Sequence, residues 1–113
     1  MSTIMDTTIR LRLRIESGPD AGVRFALPEG EFVIGRDSDV DLRLTDETVS
    51  HHHAKLVVTA RRATVEDLGS LNGTKFGTVQ LRGVAILSPG DRITFGKTQV
   101  RVAPGDSLPA DNQ

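Results

Sequence analysis

Hydrophobic residues in this chain alternate with polar ones, and this period of two constrains the fold more than any other feature. Residues 9–15 read IRLRLRI, the pattern of a strand with one buried and one solvated face. Turn-forming residues interrupt the chain at short intervals, in SGPDAG (17–22), PEG (28–30), NG (72–73) and SPGD (88–91). No segment shows the 3.6-residue stripe of an amphipathic helix. The sequence therefore predicts an all-β sandwich or barrel.

The strand-like segments divide the chain into one domain and two flanks. About nine such segments can be recognised, at 9–15, 23–27, 31–34, 41–44, 53–59, 63–67, 78–81, 91–95 and 99–103. A chain of 113 residues fits one domain that buries a core without disulfides or a metal. We place the domain at residues 9–103, after a flexible N-terminus at 1–8. Residues 104–113 are polar and rich in Pro and Asp, which predicts a disordered tail or the start of a linker.

Composition excludes several classes of protein. The chain has no cysteine, which excludes disulfides, iron–sulfur clusters and thiolate zinc sites. Its net charge of −1 provides no global basic field, so we expect no nucleic-acid partner. No apolar run approaches the ~20 residues of a membrane span, and the N-terminus lacks the apolar core of a signal peptide. We therefore expect no membrane insertion and a cytoplasmic location.

All three histidines stand side by side in VSHHHAK (49–55), which raises the question of a metal or catalytic site. In an extended run His51 and His53 would share a face and could bind zinc with a carboxylate such as Asp46. However, no third ligand is indicated by spacing, and there is no HExxH pattern. Ser50 beside a histidine suggests a hydrolase, but the G-x-S-x-G elbow is absent. We predict no catalytic residue, no metal and no cofactor.

Three blocks around these histidines occur in a characteristic order. FVIGRDSDVDLRL (32–44) contains Gly35-Arg36, VSHHHA (49–54) contains Ser-x-x-His, and VEDLGSLNGTKF (65–76) contains Gly-Ser-x-Asn-Gly-Thr. In this order and spacing they resemble the forkhead-associated (FHA) domain, over about residues 9–102. The closing segment 86–102 also resembles the final hairpin of that family. The resemblance implies an FHA/SMAD-like β-sandwich of about eleven mainly antiparallel strands, whose loops at one end bind phosphothreonine peptides.

The residue types in these blocks suit a phosphothreonine, which carries about −1.5 to −2 charges and three acceptor oxygens. Arg36 is a permanent cation whose planar fork matches phosphate oxygens. Ser50 is a compact hydroxyl donor, and the Asn72 amide both donates and accepts. The resemblance implies that Arg36 and Ser50 contact the phosphate and that Asn72 holds the peptide main chain. Taken singly, these residues are better explained by an arginine paired with Asp37 or Asp39, a serine turn cap and an Asn-Gly hairpin turn. Taken together and in order, they favour phosphopeptide binding.

Three further residues are expected to support the site rather than touch the ligand. Gly35 gives freedom to the loop that aims Arg36, and Gly73 allows a tight turn behind Asn72. The resemblance implies that His53 is a buried brace for the loops.

Two site positions depart from the family pattern. His51 stands where the family usually has arginine, or sometimes asparagine or lysine. Leu71 stands where threonine or serine often supplies a hydroxyl to the phosphate. Leucine cannot donate, and one charge-assisted hydrogen bond is worth ~1.5–3 kcal/mol.

The sequence therefore predicts a non-catalytic adaptor module that binds a Thr-phosphorylated protein or peptide in a Ser/Thr kinase pathway. The alternative is a degenerate FHA module that mediates phosphate-independent assembly, for example on the cytoplasmic side of a bacterial secretion system. Gly35, Arg36 and Ser50 favour the first interpretation, while His51 and Leu71 favour the second.

Overall fold

The computed structural model describes residues 8–103, which form eleven β-strands. Their bounds are β1 (Leu11–Ile15), β2 (Arg24–Leu27), β3 (Gly30–Gly35), β4 (Leu42–Arg43), β5 (Ala54–Val58), β6 (Ala63–Asp67), β7 (Thr74–Phe76), β8 (Val79–Gln80), β9 (Val84–Leu87), β10 (Arg92–Phe95) and β11 (Thr98–Val102). No helix within this part of the chain has the length and apolar character of a membrane span. The flanks at 1–7 and 104–113, for which flexibility and a disordered tail or linker were predicted, lie outside the described residues.

The strands form two sheets that pack face to face as a β-sandwich. One sheet has the order β2-β1-β11-β10-β7-β8, and the other has the order β4-β3-β5-β6-β9. All neighbouring strands are antiparallel except β3 and β4, which are parallel. The predicted mainly antiparallel sandwich of about eleven strands is therefore confirmed.

The alternating sequence pattern becomes the buried and exposed faces of each sheet. In β1, Leu11, Leu13 and Ile15 are buried, while Arg12 and Arg14 point to the solvent. Burying one such apolar side chain stabilises the fold by about 1.5–3 kcal/mol. Both sheets contribute to the fully buried core, whose largest members are Phe95, Leu13, Ile15, Ile34, Leu42, Leu44, Leu56 and Ile93.

The sequence pattern missed β7 and β9, and each has a physical reason. Strand β7 has only three residues, too few to show alternation. In β9 the run VAIL is apolar throughout, and Val84 and Ile86 stay exposed at the edge of the sheet. Alternation between apolar and polar residues is therefore lost there.

The predicted Asn72-Gly73 turn is not a hairpin turn. It joins β6 to β7, which belong to different sheets, so it lies in a crossover between the layers. Only Gly73 has positive φ, whereas a type I′ hairpin needs positive φ at both central residues. The following hairpin turns instead at Gly77 and Thr78, between Phe76 and Val79.

Candidate functional site

Four loops meet at one end of the sandwich and are tied to one another through main-chain groups. The β3–β4 loop meets the β4–β5 loop where the Arg36 N–H donates to the Ser50 carbonyl at 3.0 Å. The β6–β7 loop joins them through Asn72, whose Nδ2 donates to the Thr48 carbonyl at 2.7 Å. The β10–β11 turn closes the group, because the Gly96 N–H donates to the Gly73 carbonyl at 3.2 Å. Residues far apart in sequence are thus held at fixed relative positions.

Arg36 is half-buried and anchored by only one edge of its guanidinium. Its Nε donates to the Val49 carbonyl at 3.0 Å. Across residues 8–103, the two terminal nitrogens of Arg36 have no hydrogen bond and no ion pair. The alternative pairing with a nearby aspartate is therefore not observed, since Asp37 accepts from the Ser38 N–H and Asp39 contacts His52. The fork of Arg36 remains available to an anion.

Ser50 is oriented so that its hydroxyl can donate. Its Oγ accepts a hydrogen bond from the Leu71 N–H at 2.9 Å. A hydroxyl has one proton and two lone pairs, so this contact leaves the proton free for a ligand. The same contact ties the β4–β5 loop to the β6–β7 loop.

His53 is fully buried at the entrance to β5 and braces two loops. Its Nδ1 accepts from the Ser50 N–H at 3.0 Å, and its Nε2 lies 2.9 Å from the Gly73 carbonyl, to which it donates. These two contacts assign a neutral ring protonated on Nε2. Burial lowers the pKa of His53, against smaller opposing effects of the Gly73 carbonyl and of Asp67, whose Oδ1 lies 3.8 Å from Nε2. The ring also packs edge-on against Phe95, with centroids 5.7 Å apart.

The remaining predicted ligand contacts are exposed at the same end. Asn72 is exposed, and its carboxamide oxygen is not used in the contact with Thr48, so it can accept from a peptide N–H. His51 is exposed, and the Leu71 side chain is 88% exposed. The five predicted binding residues share one shallow depression of about 320 Å³, lined by Arg36, Glu47, Thr48, Val49, Ser50, His51, Leu71 and Asn72.

Gly35 is required for a reason different from the predicted loop freedom. Its φ is not in the left-handed region, so its backbone is one that any residue adopts. A Cβ at this position would lie 2.1 Å from the His51 carbonyl oxygen, which no side chain tolerates. Gly35 therefore allows the β3–β4 loop to pack against the His51 backbone. Gly73 does use the left-handed region, with φ of 84°, as its predicted turn role requires.

Asp46 supports the β4–β5 loop, a role that the sequence pattern did not reveal. It is 8% exposed and accepts from the Thr48 N–H and hydroxyl and from the Thr98 hydroxyl, at 2.8–2.9 Å. Burial acts to raise the pKa of Asp46, but these hydrogen bonds outweigh it and hold that pKa below its usual range. Both carboxylate oxygens of Asp46 thus accept hydrogen bonds, and the residue caps the β4–β5 loop.

Asp67 organises the β6–β7 loop in the same way. It accepts from the N–H groups of Gly69 and Ser70 and from the hydroxyls of Ser70 and Thr74. Burial acts to raise the pKa of Asp67, and the hydrogen bonds from Ser70 and Thr74 overcome it and lower that pKa. The segment Asp-Leu-Gly-Ser at 67–70 is typical of an Asx turn, so the sequence could have predicted this cap.

The predicted alternative of a zinc site at His51, His53 and Asp46 is not assembled. Both nitrogens of His53 are engaged in hydrogen bonds, and Asp46 is saturated by the two threonines. His52 instead lies 2.9 Å from Asp39, near Asp37, in a small group of largely exposed side chains. Exposed acidic groups of this kind are common without a metal.

Comparisons with known proteins identify the family of this chain. The family model described as the cytoplasmic domain of an inner membrane component of T3SS matches residues 14–106. The glycogen accumulation regulator GarA of Mycobacterium tuberculosis is 35% identical over 100 residues, which cover 88% of this chain and 61% of that protein. The oxoglutarate dehydrogenase inhibitor of Corynebacterium efficiens is 39% identical over 85 residues, covering 75% of this chain and 59% of that protein. The chain therefore spans about three fifths of the length of these two curated relatives.

A solved FHA domain gives the structural counterpart of these matches. It was studied for phosphothreonine-dependent FHA domain interactions, and it superposes with a TM-score of 0.76 at 31% sequence identity. The match covers 82% of this chain and 94% of that domain. Fold, site geometry and sequence agree, and the chain belongs to the forkhead-associated (FHA) family.

Proposed function

We propose that this domain is a non-catalytic adaptor that binds phosphothreonine-containing segments of partner proteins in Ser/Thr kinase signalling. One observation carries the proposal. The free fork of Arg36 and the free hydroxyl proton of Ser50 line the same depression, and both side chains are held in place by other contacts. A preformed pair of a cation and a hydroxyl donor is what a phosphate needs.

In this proposal, Arg36, Ser50, Asn72 and Glu47 have distinct roles in the depression. The phosphate lies against Arg36 and Ser50, which offer two guanidinium nitrogens and one O–H. The Asn72 carboxamide oxygen accepts from the peptide main chain, while its Nδ2 stays on Thr48. Glu47 adds a carboxylate at the rim of the depression, which disfavours acidic residues next to the phosphothreonine.

The relatives support a regulatory role. One is named a glycogen accumulation regulator and another an oxoglutarate dehydrogenase inhibitor, names of proteins that act on other proteins or pathways. The solved FHA domain with 31% identity was studied for phosphothreonine-dependent interactions. A chain without cysteine suits the reducing cytoplasm, where Ser/Thr kinases also act. We therefore place the domain in that compartment.

A titration of the 113-residue chain with phosphothreonine peptides tests the proposal. An oriented library of peptides with fixed phosphothreonine identifies the best sequence, whose affinity is then measured by calorimetry. We expect micromolar binding, about −8 kcal/mol. Loss of the phosphate or an Arg36→Ala substitution should remove detectable binding. Arg61→Ala is the matched control, because Arg61 is an exposed arginine in the turn between β5 and β6, outside the depression.

Two observations favour a second function, phosphate-independent protein assembly. The matching family model describes the cytoplasmic domain of a secretion-system membrane component, and Leu71 presents an exposed apolar side chain at the site. A phosphate-independent assembly role would explain both. Absence of phosphopeptide binding by a folded domain, together with capture of an unphosphorylated partner that Leu71→Ala weakens, would favour this role over the first.

A further inference from the structure

The outer face of the six-stranded sheet carries a row of four arginines across four adjacent strands. Arg24 lies opposite Arg14, Arg14 lies opposite Arg101, and Arg101 lies opposite Arg92. Buried or, in β2, partly buried residues alternate with them, so all four project from the outer face. Like charges directly opposite one another on a sheet are destabilising. This row and the adjacent Arg12 are called the arginine face below.

The arginine face is far from neutral. Among residues 8–103, the outer face of this sheet carries Lys75 and the five arginines of the arginine face but only one carboxylate, Glu16, and the net charge of the chain is −1. The Arg10–Glu29 ion pair at 3.6 Å lies at its margin and adds no net charge. A local surplus of positive charge on an otherwise acidic chain is the electrostatic signature of a surface for an anionic partner.

Glu16 shows that the arginine row binds a carboxylate. Its carboxylate lies 2.6 Å from Arg101 Nε, 3.4 Å from Arg92 Nε and 3.8 Å from an Arg14 terminal nitrogen. The hydrogen bond from Arg101 lowers the pKa of Glu16. One carboxylate is therefore shared by three guanidinium groups, which leaves donors of the row unused.

A second position beside Glu16 has room for another anion. A depression of about 360 Å³ is lined by Arg12, Arg14, Arg24 and Arg101, with the small side chains of Ala26 and Ala103 among them. Across residues 8–103, the side chain of Arg24 makes no hydrogen bond or ion pair. The depression therefore has room for an anion. It also contains a cation, Arg24, without an ion pair among residues 8–103.

We propose that the arginine face docks an acidic segment of a partner protein, with Asp or Glu carboxylates entering the depression beside Arg24. Guanidinium groups are strong donors to carboxylates, and Glu16 on this face already accepts one hydrogen bond each from the Nε atoms of Arg101 and Arg92. A nucleic-acid partner is disfavoured because the chain has no Tyr or Trp to stack bases and a net charge of −1. A membrane is disfavoured because the large exposed apolar residues among residues 8–103 lie at other register positions than this face. This surface lies on the side of the sandwich, so it is separate from the loops that hold Arg36.

Fluorescence anisotropy with the 113-residue chain tests this docking surface. The probe is a labelled peptide of about a dozen residues that alternates Glu and Ser, and its partner probe replaces each Glu by Gln. The test variant is Arg14→Ala/Arg24→Ala. The matched control is Arg61→Ala/Arg62→Ala, which removes two exposed arginines from the β5–β6 turn. Arg36→Ala separates this site from the phosphothreonine site.

We expect saturable binding of the Glu peptide that weakens about tenfold in the test variant and between about 50 and 300 mM salt. The control variant and Arg36→Ala should retain wild-type affinity, and the Gln peptide should not bind. The test variant should melt close to wild type, because it removes the like-charge pair of Arg14 and Arg24 together with the long, exposed contact from Arg14 to Glu16.

Three outcomes would overturn the proposal. Equal weakening by both double variants would mean non-specific attraction between charges. Tighter binding of a 12-base-pair DNA duplex or of vesicles with about 30% phosphatidylserine would assign the face to nucleic acid or lipid instead. Absence of saturable binding of the Glu peptide up to about 1 mM would show that the face is not a docking surface.

Discussion

Residue-scale chemistry decides how tightly the depression can hold a phosphate. The Ser50 hydroxyl and the Arg36 guanidinium can both donate to a phosphate. Position 71, however, offers only an apolar side chain that is 88% exposed. Its backbone N–H, by contrast, already holds the Ser50 oxygen. A side chain at this position can therefore change without loss of buried area or of that contact.

Replacement of Leu71 by threonine should strengthen phosphothreonine binding. The new hydroxyl adds one hydrogen bond to a charged phosphate, so we expect about a tenfold lower Kd. Isothermal titration with the best library peptide measures the change. The control is Leu68→Thr, a partly exposed leucine in the same loop but outside the depression. Equal affinity for Leu71→Thr and wild type would show that the phosphate does not approach position 71.

His53 makes the stability of the fold depend on pH. Burial lowers its pKa in the folded state, so the unfolded chain takes up a proton first as pH falls through about 6.5. The fold therefore has its full His53 contribution above that pH and loses up to about 1.4 kcal/mol per pH unit below it, down to the folded-state pKa. The pKa values of Asp46, Asp67 and Glu16 are also lowered in the folded state. Their contributions to stability are therefore lost at lower pH, as pH falls from the usual carboxyl range towards these lowered values.

Urea unfolding at pH 7.0, 6.0 and 5.0 separates these contributions. Wild type should lose stability between pH 6.5 and 5.0, and His53→Gln should be less stable at pH 7 but show a flatter slope. His52→Gln serves as the control, because His52 is exposed and its side-chain hydrogen bond within residues 8–103 goes to the exposed Asp39. If wild type and His53→Gln had the same slope, His53 would not be the neutral brace that its two hydrogen bonds indicate.

At the scale of elements, the site depends on loops that pack more closely than a Cβ would allow. The end of β3 touches the β4–β5 loop at Gly35 and the His51 carbonyl, and Gly96 approaches the Thr48 carbonyl in the same way. Such contacts set the distance between Arg36 and Ser50 more directly than any side-chain interaction. They also explain why glycine stands at the end of a strand, where it otherwise weakens the sheet.

Substitution of Gly35 by alanine should therefore separate the two loops. We expect a loss of more than about 2 kcal/mol in the free energy of unfolding, because backbone atoms cannot yield as a flexible side chain does. Gly22→Ala is the comparison, since a Cβ there meets nothing within 4 Å and incurs only the strain of positive φ, about 1–2 kcal/mol. Denaturant titration of both variants provides the test. A Gly35→Ala loss no larger than that of Gly22→Ala would refute the close-contact explanation.

The elements also show what a sequence can and cannot reveal about this site. Alternation predicted β1, β5 and β6 because each has one buried and one solvated face. Alternation gives no signal for a close contact between backbones, so the reason for Gly35 appears only in three dimensions. The support of Thr48 by Asp46 is local in sequence, but its second partner Thr98 lies 52 residues away. Long-range contacts of this kind leave no local pattern.

At the scale of the whole molecule, the sandwich is held by pairing between the first and last strands of residues 8–103. Strand β1 lies between β2 and β11, and β11 lies between β1 and β10. The core runs from Leu11 to Val102, so the first and last strands both belong to it. The domain boundary at residues 9–103 stays a prediction, which has to be tested on chains of different length.

Truncation tests that boundary as a cooperative property of the fold. We expect a chain of residues 8–103 to unfold in one transition, with a free energy within about 1 kcal/mol of the 113-residue chain. A chain that ends at residue 97 should not fold, because the loss of β11 removes the strand that joins β1 to β10 and buries Val100 and Val102. Circular dichroism and urea titration of the three chains measure these differences. A folded 8–97 chain would mean that the two halves of the six-stranded sheet are stable apart. A much weaker 8–103 chain would mean that the flanking residues contribute to stability.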